Sequence, residues 1–233
     1  MNTQQAYNIW SEQYDTNENK TRDLEAISLR AHIQGQTFEH CLEIGCGTGK
    51  NTEWLITQAS KVLAVDLSEE MLSKAKQKIN ASNLTFVQAD ITQDWSFTRG
   101  HQFDLATFSL VLEHIEDLES IFAQLKQVIQ PNGIVYIGEL HPFKQYNGSK
   151  ARFETSEGVQ VVTCFNHHIT DFVTAANNNG FELIHINEYF DDNNKHNIPR
   201  ILTLIFKKYP TFDSIISVSY THLRAHETGR NIV

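Results

Sequence analysis

The stretch Cys41-Leu42-Glu43-Ile44-Gly45-Cys46-Gly47-Thr48-Gly49-Lys50 decides the fold: an apolar, strand-like run passes straight into a glycine-rich turn and then toward a helix. Gly45, Gly47 and Gly49 occupy alternate positions, where missing side chains let the backbone turn tightly and let a ligand lie against it. The next such run, Lys61-Val62-Leu63-Ala64-Val65-Asp66, ends in a carboxylate 21 residues after Gly45. An acidic side chain at that distance suits the hydroxyls of a ribose.

Outward from this core the same rhythm repeats. Lys50 to Thr57 is the expected helix whose N-terminal amides face the ligand. Ser68 is a good N-cap, Glu69 and Glu70 suit a first turn, and Met71, Leu72, Ala75 and Ile79 form an apolar stripe. Leu84 to Gln88 reads as a third strand ending in Ala89-Asp90-Ile91, and Phe103 to Ser109 as a fourth. A helix over Leu118 to Ile129 and a turn at Pro131-Asn132-Gly133 lead to a fifth strand, Ile134 to Ile137, which runs out through Gly138-Glu139-Leu140-His141-Pro142. Strands and helices in alternation predict an α/β fold with a doubly wound, Rossmann-like parallel sheet.

The flanks are different in character. Tyr7, Trp10 and Tyr14 align on one helical face, and Thr21 to Ile33 reads as a second helix with Leu24, Ile27 and Ala31 as its apolar stripe. Residues 1–36 are therefore expected to form a helical flap, with Tyr14 a candidate for the edge of the pocket. Arg152-Phe153-Glu154 and Val159-Gln160-Val161-Val162 surround Ser156-Glu157-Gly158 as a hairpin, making 143–168 a small inserted lid. Thr170 and Asp171 open a last helix that Gly180 ends, and Phe181 to Tyr189 and Ile201 to Lys207 are the remaining strands.

The whole chain has 233 residues, 40% of them hydrophobic, which suits one domain over 1–217. Its formal charge of -9 argues against nucleic acid and anionic membranes as partners and favours a neutral or cationic small molecule, unless a basic patch is concentrated locally. Cys41, Cys46 and Cys164 are odd in number, so a disulfide framework is not expected and a reducing, cytoplasmic setting is; no metal-ligand spacing, leader or membrane-spanning run is evident. Nothing in the chain fixes an oligomeric state. Val218 to Thr228 resembles the translated read-through of a sequencing adapter, with Gly229 to Val233 as its remainder. On that reading 218–233 is a non-native tail, and His222, Arg224 and His226 carry no chemistry.

Taken together, Glu43-Ile44-Gly45-Cys46-Gly47-Thr48-Gly49, Val65-Asp66, Ala89-Asp90-Ile91 and Ser109-Leu110-Val111-Leu112-Glu113-His114 resemble class I S-adenosylmethionine-dependent methyltransferases. The resemblance covers roughly Cys41 to Tyr189 and implies a seven-stranded, mostly parallel sheet with an antiparallel last strand. It implies that Glu43 faces the amino end of the S-adenosyl-L-methionine cofactor, with Gly45, Gly47 and Gly49 beneath it. Asp66 would hold the ribose and Asp90 the adenine amino group, with Leu67 and Ile91 sandwiching the ring. Ser109 and Leu110 would lie beside the methionine portion, and Cys46 and Met71 complete the implied cofactor shell.

Methyl transfer from a sulfonium is a direct in-line displacement, so the protein must chiefly align the reactants and exclude water. A base is needed only where the acceptor arrives protonated. His141, at the end of the fifth strand, is the first candidate, followed by Glu139, His114 and His168 of Phe165-Asn166-His167-His168. His141 equally suits a turn cap before Pro142, Glu113 and His114 suit the start of a helix, and adjacent His167 and His168 cannot both face one pocket from a helix. The fourth strand lacks the Asn/Asp-Pro-Pro-aromatic motif of base and amide methylation, and no paired-glutamate loop of the arginine-methylating kind is evident, so a small organic acceptor is expected. A nicotinamide-dependent oxidoreductase would use the same ribose acid, but its turn reads Gly-x-Gly-x-x-Gly where this one reads Gly-x-Gly-x-Gly. A non-catalytic cofactor-binding module fits the same cofactor motifs.

Overall fold

The computed structural model describes residues 2–16, 18–155 and 158–210. The tail at 218–233 lies outside the described residues. Seven strands form one sheet in the order β3-β2-β1-β4-β5-β9-β8: β1 (Phe38–Ile44), β2 (Ala59–Asp66), β3 (Leu84–Gln88), β4 (Phe103–Ser109), β5 (Ile129–Leu140), β8 (Phe181–Tyr189) and β9 (Ile201–Lys208). The first five are mutually parallel and β9 runs antiparallel to both of its neighbours. The expected class I topology is thus the observed one. The sheet order reverses at β1, whose neighbours are β2 and β4, and the crevice outside the carboxyl ends of such strands is where open α/β sheets bind ligands.

Helices cover both faces. On one, α5 (Leu118–Val128) and α7 (Ile169–Asn178) bury Phe122, Leu125 and Phe172 against the inner residues of β4, β5 and β9. On the other, α2 (Lys20–Ile33), α3 (Thr52–Leu55) and α4 (Glu69–Lys78) cover β1, β2 and β5. Ser68 caps α4 as expected, its hydroxyl accepting from the Met71 N–H at 3.2 Å. A third, aromatic cluster joins α1 (Thr3–Trp10) to the antiparallel pair β6 (Arg152–Thr155) and β7 (Gly158–Val161), with Trp10 stacked on Phe153 at 5.2 Å between ring centres.

Three local expectations need correction. The helix after the glycine turn is a single turn, Thr52–Leu55, because Thr57 and Gln58 close tight turns onto Trp54 and Leu55 and the chain must enter β2 at Ala59. α2 does not bury Leu24, Ile27 and Ala31. Ile27 is 57% exposed, and the inward face carries Glu25, Ala26, Ser28, Leu29 and Ile33. That face is polar because it meets the Tyr136 hydroxyl of β5 and the Thr203 hydroxyl of β9, which hydrogen-bond Ser28 at 3.1 and 2.5 Å. The segment after β5 contains a short helix, α6 (Pro142–Tyr146), where only a turn was expected. Among the described residues no helix is long and apolar enough to cross a membrane.

Candidate functional site

A cavity of about 240 Å³ opens at the carboxyl ends of β1, β2 and β4, lined by Gly45, Gly47, Asp66, Leu67, Asp90, Ile91, Ser109 and Leu110. α1 and the turn after it form its outer wall through Tyr7 and Tyr14. A smaller cavity of about 60 Å³ adjoins it beneath the glycine turn. It shares Gly45, Gly47, Ser109, Leu110 and Tyr14, and adds Glu43, Cys46, Arg22 and Asn51.

The glycine turn is shaped for this position. Gly45 has φ +71°, and a Cβ there would sit 2.2 Å from Val111 Cγ2. Gly47 has φ +55° with open space where its Cβ would stand, so this residue leaves room beside the cavity. The Gly47 N–H donates to Asp66 Oδ2 and the Ser68 N–H to Asp66 Oδ1, each at 2.8 Å. Asp66 is thereby fixed in orientation by backbone, although burial still raises its pKa above the usual carboxylate value. Asp90 is exposed and is held through Oδ1 by the Thr92 N–H and hydroxyl at 2.9 and 2.7 Å.

Below the turn lies a buried acid network. Glu43 accepts from the Thr52 hydroxyl at 2.6 Å, and burial pushes its pKa up to about 8. Glu25 of α2 accepts from Ser109 at 2.8 Å, Asn51 at 3.0 Å and Tyr136 at 3.1 Å, and burial holds it at about 7 despite these donors. Ser109, expected beside the ligand, thus also joins the cavity wall to α2. No local pattern marks Glu25 in the sequence, since the apolar spacing of α2 points elsewhere.

Beyond β4 the backbone is strained at Leu110, which has φ +60° in the left-handed region. The Leu110 N–H donates to Gly138 O at 2.8 Å, and the next two amides, Val111 and Leu112, donate to Glu139 Oε1 at 2.9 and 2.7 Å. Glu139 is therefore a buried clamp on this loop, away from the cavity lining, and burial raises its pKa to about 8. His114 follows on the same loop and does line the large cavity. Its Nδ1 lies 2.8 Å from the Thr163 carbonyl, an acceptor only, so Nδ1 carries the proton and Nε2 accepts the Tyr7 hydroxyl at 2.8 Å. Burial raises the Tyr7 pKa well above its ordinary value. This pair spans 107 residues of chain, and the sequence offers only the aromatic spacing of α1 as a hint.

Other expected residues sit apart from the cavity. His141 is fully buried: Nδ1 accepts from the Phe143 N–H at 3.2 Å, capping α6, and Nε2 meets Glu188 at 2.9 Å. It borders neither cavity, and desolvation lowers its pKa. His168 stands at the start of α7 with Nδ1 2.5 Å from the Tyr146 hydroxyl, while His167 is buried against Ile115 O at 2.7 Å. Met71 is buried in the aromatic cluster beneath α1, and Gly49 packs on Ala75 and Ile79. The Cys46 thiol edges the small cavity, and burial holds it well above the ordinary thiol value.

Comparison with known proteins sets these features in context. Residues 42–137 match the family described as "Methyltransferase domain". The chain is 31% identical over 101 residues to a ubiquinone biosynthesis O-methyltransferase of Methylococcus capsulatus, covering 43% of each chain. It is 30% identical over 114 residues to a trans-aconitate 2-methyltransferase of an Acidovorax species, covering 48% of this chain and 42% of the relative. The matched part thus spans less than half the length of these curated relatives. Among solved structures, the N-methyltransferase NodS of Bradyrhizobium japonicum with S-adenosyl-L-homocysteine superposes with a TM-score of 0.67 at 17% identity, over 89% of this chain and 99% of NodS, which establishes a common fold.

Proposed function

We propose that the protein, whose residues 42–137 match a methyltransferase domain, transfers a methyl group from S-adenosylmethionine to a small organic acceptor. The observation that carries this reading is the pair of adjoining cavities beneath Gly45 and Gly47, with Asp66 and Asp90 on one and Glu43 and Arg22 on the other.

The residues fit that cofactor. Asp66 is pinned by two backbone amides and is ready to accept from ribose hydroxyls. Asp90 would accept from the adenine amino group, and Leu67 and Ile91 are the apolar residues on the same cavity that would hold the ring. At the small cavity Arg22 would supply a cation for the cofactor's carboxylate, and Glu43 a carboxyl that an approaching ammonium group would return to its charged form. When bound, S-adenosylmethionine supplies an electrophilic methyl carbon on a sulfur that leaves as a neutral thioether.

The protein's own work is alignment, exclusion of water and proton acceptance. Tyr7 and Tyr14 close the outer wall, and the rigid Leu110 loop fixes the inner one. For a hydroxyl or ammonium acceptor, the Tyr7 oxygen takes the acceptor's proton as its own moves to His114 Nε2. The Thr163 carbonyl, accepting from Nδ1, keeps the ring oriented with Nε2 toward Tyr7. The unpaired cysteines suit a reducing compartment, and we place the protein in the cytoplasm as one domain over 1–217.

Calorimetry tests the reading. S-adenosylhomocysteine should bind the purified protein, and Asp66→Ala should weaken it by about tenfold or more, the effect of losing a hydrogen bond to a charged group. Binding of NADH without binding of S-adenosylhomocysteine would refute it.

A further inference from the structure

The proposed acceptor must reach the methyl carbon through a second opening, and one is present. A cavity of about 280 Å³ shares Tyr7, Tyr14 and Leu110 with the 240 Å³ cavity at the glycine turn and continues outward between α1, α2 and β6. Its lining runs against the charge of the chain as a whole. The chain as a whole has 28 acidic and 19 basic side chains, yet this wall carries Lys150, Arg152 and Arg200, besides Arg22, against the single acid Glu113.

The cations are not cancelled locally. Among the described residues Lys150 and Arg152 make no ion pair. Arg200 is held rigid, its guanidinium on both oxygens of Asp191 and donating to the Thr21 hydroxyl at 3.0 Å, but Asp191 also serves Lys144 at 3.7 Å, so one carboxylate faces two cations. Glu113 is almost fully buried, and desolvation raises its pKa, which lessens its negative charge toward the cavity. Two exposed cations alone would be ordinary solvated surface. The second observation is Trp10: it lines the same cavity at 7% exposure, and its indole N–H is buried with no acceptor. A buried donor without a partner is costly unless something supplies an acceptor.

Resting on the methyltransferase reading, we propose that the acceptor is a small organic anion whose carboxylate or comparable oxyanion sits between Lys150, Arg152 and Arg200 and accepts from the Trp10 N–H, with its nucleophilic atom toward Tyr7 and Leu110. The net charge of the chain favours a neutral or cationic partner; the distribution of that charge reverses the preference at this opening.

The test uses the full chain saturated with S-adenosylhomocysteine and titrated with benzoate, phenylacetate, tricarballylate and phenylphosphonate, each beside its uncharged amide or ester. At least one anion should bind at least about tenfold more tightly than its neutral counterpart, as expected where charge-assisted hydrogen bonds are made. Lys150→Gln/Arg152→Gln, both at exposed positions, should abolish that advantage while leaving S-adenosylhomocysteine affinity within about twofold of the parent protein. Equal binding of charged and neutral forms, no anion binding to the loaded protein, or discrimination that survives the double substitution each overturn the proposal. Failure of S-adenosylhomocysteine itself to bind would instead strike the methyltransferase reading on which the proposal rests.

Discussion

Gly45 and Gly47 stand two residues apart in one turn, both with positive φ, yet alanine should harm them in different ways. At Gly47 the backbone sits at φ +55° and a Cβ would meet nothing within 4 Å, so Gly47→Ala loses only the left-handed preference, about 1 kcal/mol. For a domain of this size that lowers Tm by roughly 2–4 °C. The added methyl would occupy open space beside both ligand cavities, so S-adenosylhomocysteine affinity should fall by about tenfold or more, or about 1.4 kcal/mol. At Gly45 the same backbone term is joined by an overlap with Val111 Cγ2 at 2.2 Å. Val111 cannot withdraw freely, because its N–H is tied to Glu139. Adding an overpacking term, Gly45→Ala should cost about 3 kcal/mol, or roughly 6–12 °C in Tm. Differential scanning calorimetry of both variants, with and without S-adenosylhomocysteine, separates the two costs. The reasoning fails if Gly45→Ala is no less stable than Gly47→Ala, or if Gly47→Ala binds the ligand as the parent does.

Tyr7→Phe and His114→Gln should each lower kcat by about 10²-fold or more for an acceptor that must lose a proton, and the double variant should be no worse than either single one, since the pair acts as a unit; multiplicative losses in single-turnover assays would show that the residues work separately. His141→Ala should remove the α6 cap, lowering stability by about 1 kcal/mol while leaving kcat unchanged; a fall in kcat without loss of stability would return His141 to the chemistry. Stability should also depend on pH. Glu25 titrates at about 7 in the folded protein and Glu43 and Glu139 at about 8, against 4.5 as ordinary values. The folded state therefore keeps protons that the unfolded chain releases, and stability should decline as pH rises from about 4.5 to 8 and level off above that. Urea midpoints at pH 6.0 and 8.5 measure this, and a midpoint that rises with pH would contradict the burial argument; Glu25→Gln should flatten the slope.

The sheet was legible because its signals are local. Cys41 to Gly49 and Lys61 to Asp66 each combine an apolar run with a strand-end device, and the structure places Asp66, Asp90, Ser109 and Leu110 on one cavity. What escaped the sequence depends on contacts across the chain. Glu25 is buried because Tyr136, Asn51 and Ser109 converge on it from three other segments, which outweighs the apolar spacing of Leu24, Ile27 and Ala31. His141 follows β5 at the end where catalytic groups collect, but β8 approaches closely enough for Glu188 to take its Nε2, and Phe143 takes its Nδ1. The cation-lined cavity was hidden by averaging. Net charge is a property of the whole chain, whereas Lys150, Arg152 and Arg200 come together only through folding.

Leu110 has an implication for engineering. A leucine at φ +60° gives up about 1–2 kcal/mol of backbone stability, part of which Leu110→Gly would recover. Leu110 also lines both the cavity at the glycine turn and the cation-lined cavity, so removing its side chain would widen the space where they meet. A hardier protein obtained this way should accept a broader range of substrates, exchanging selectivity for durability at a single position.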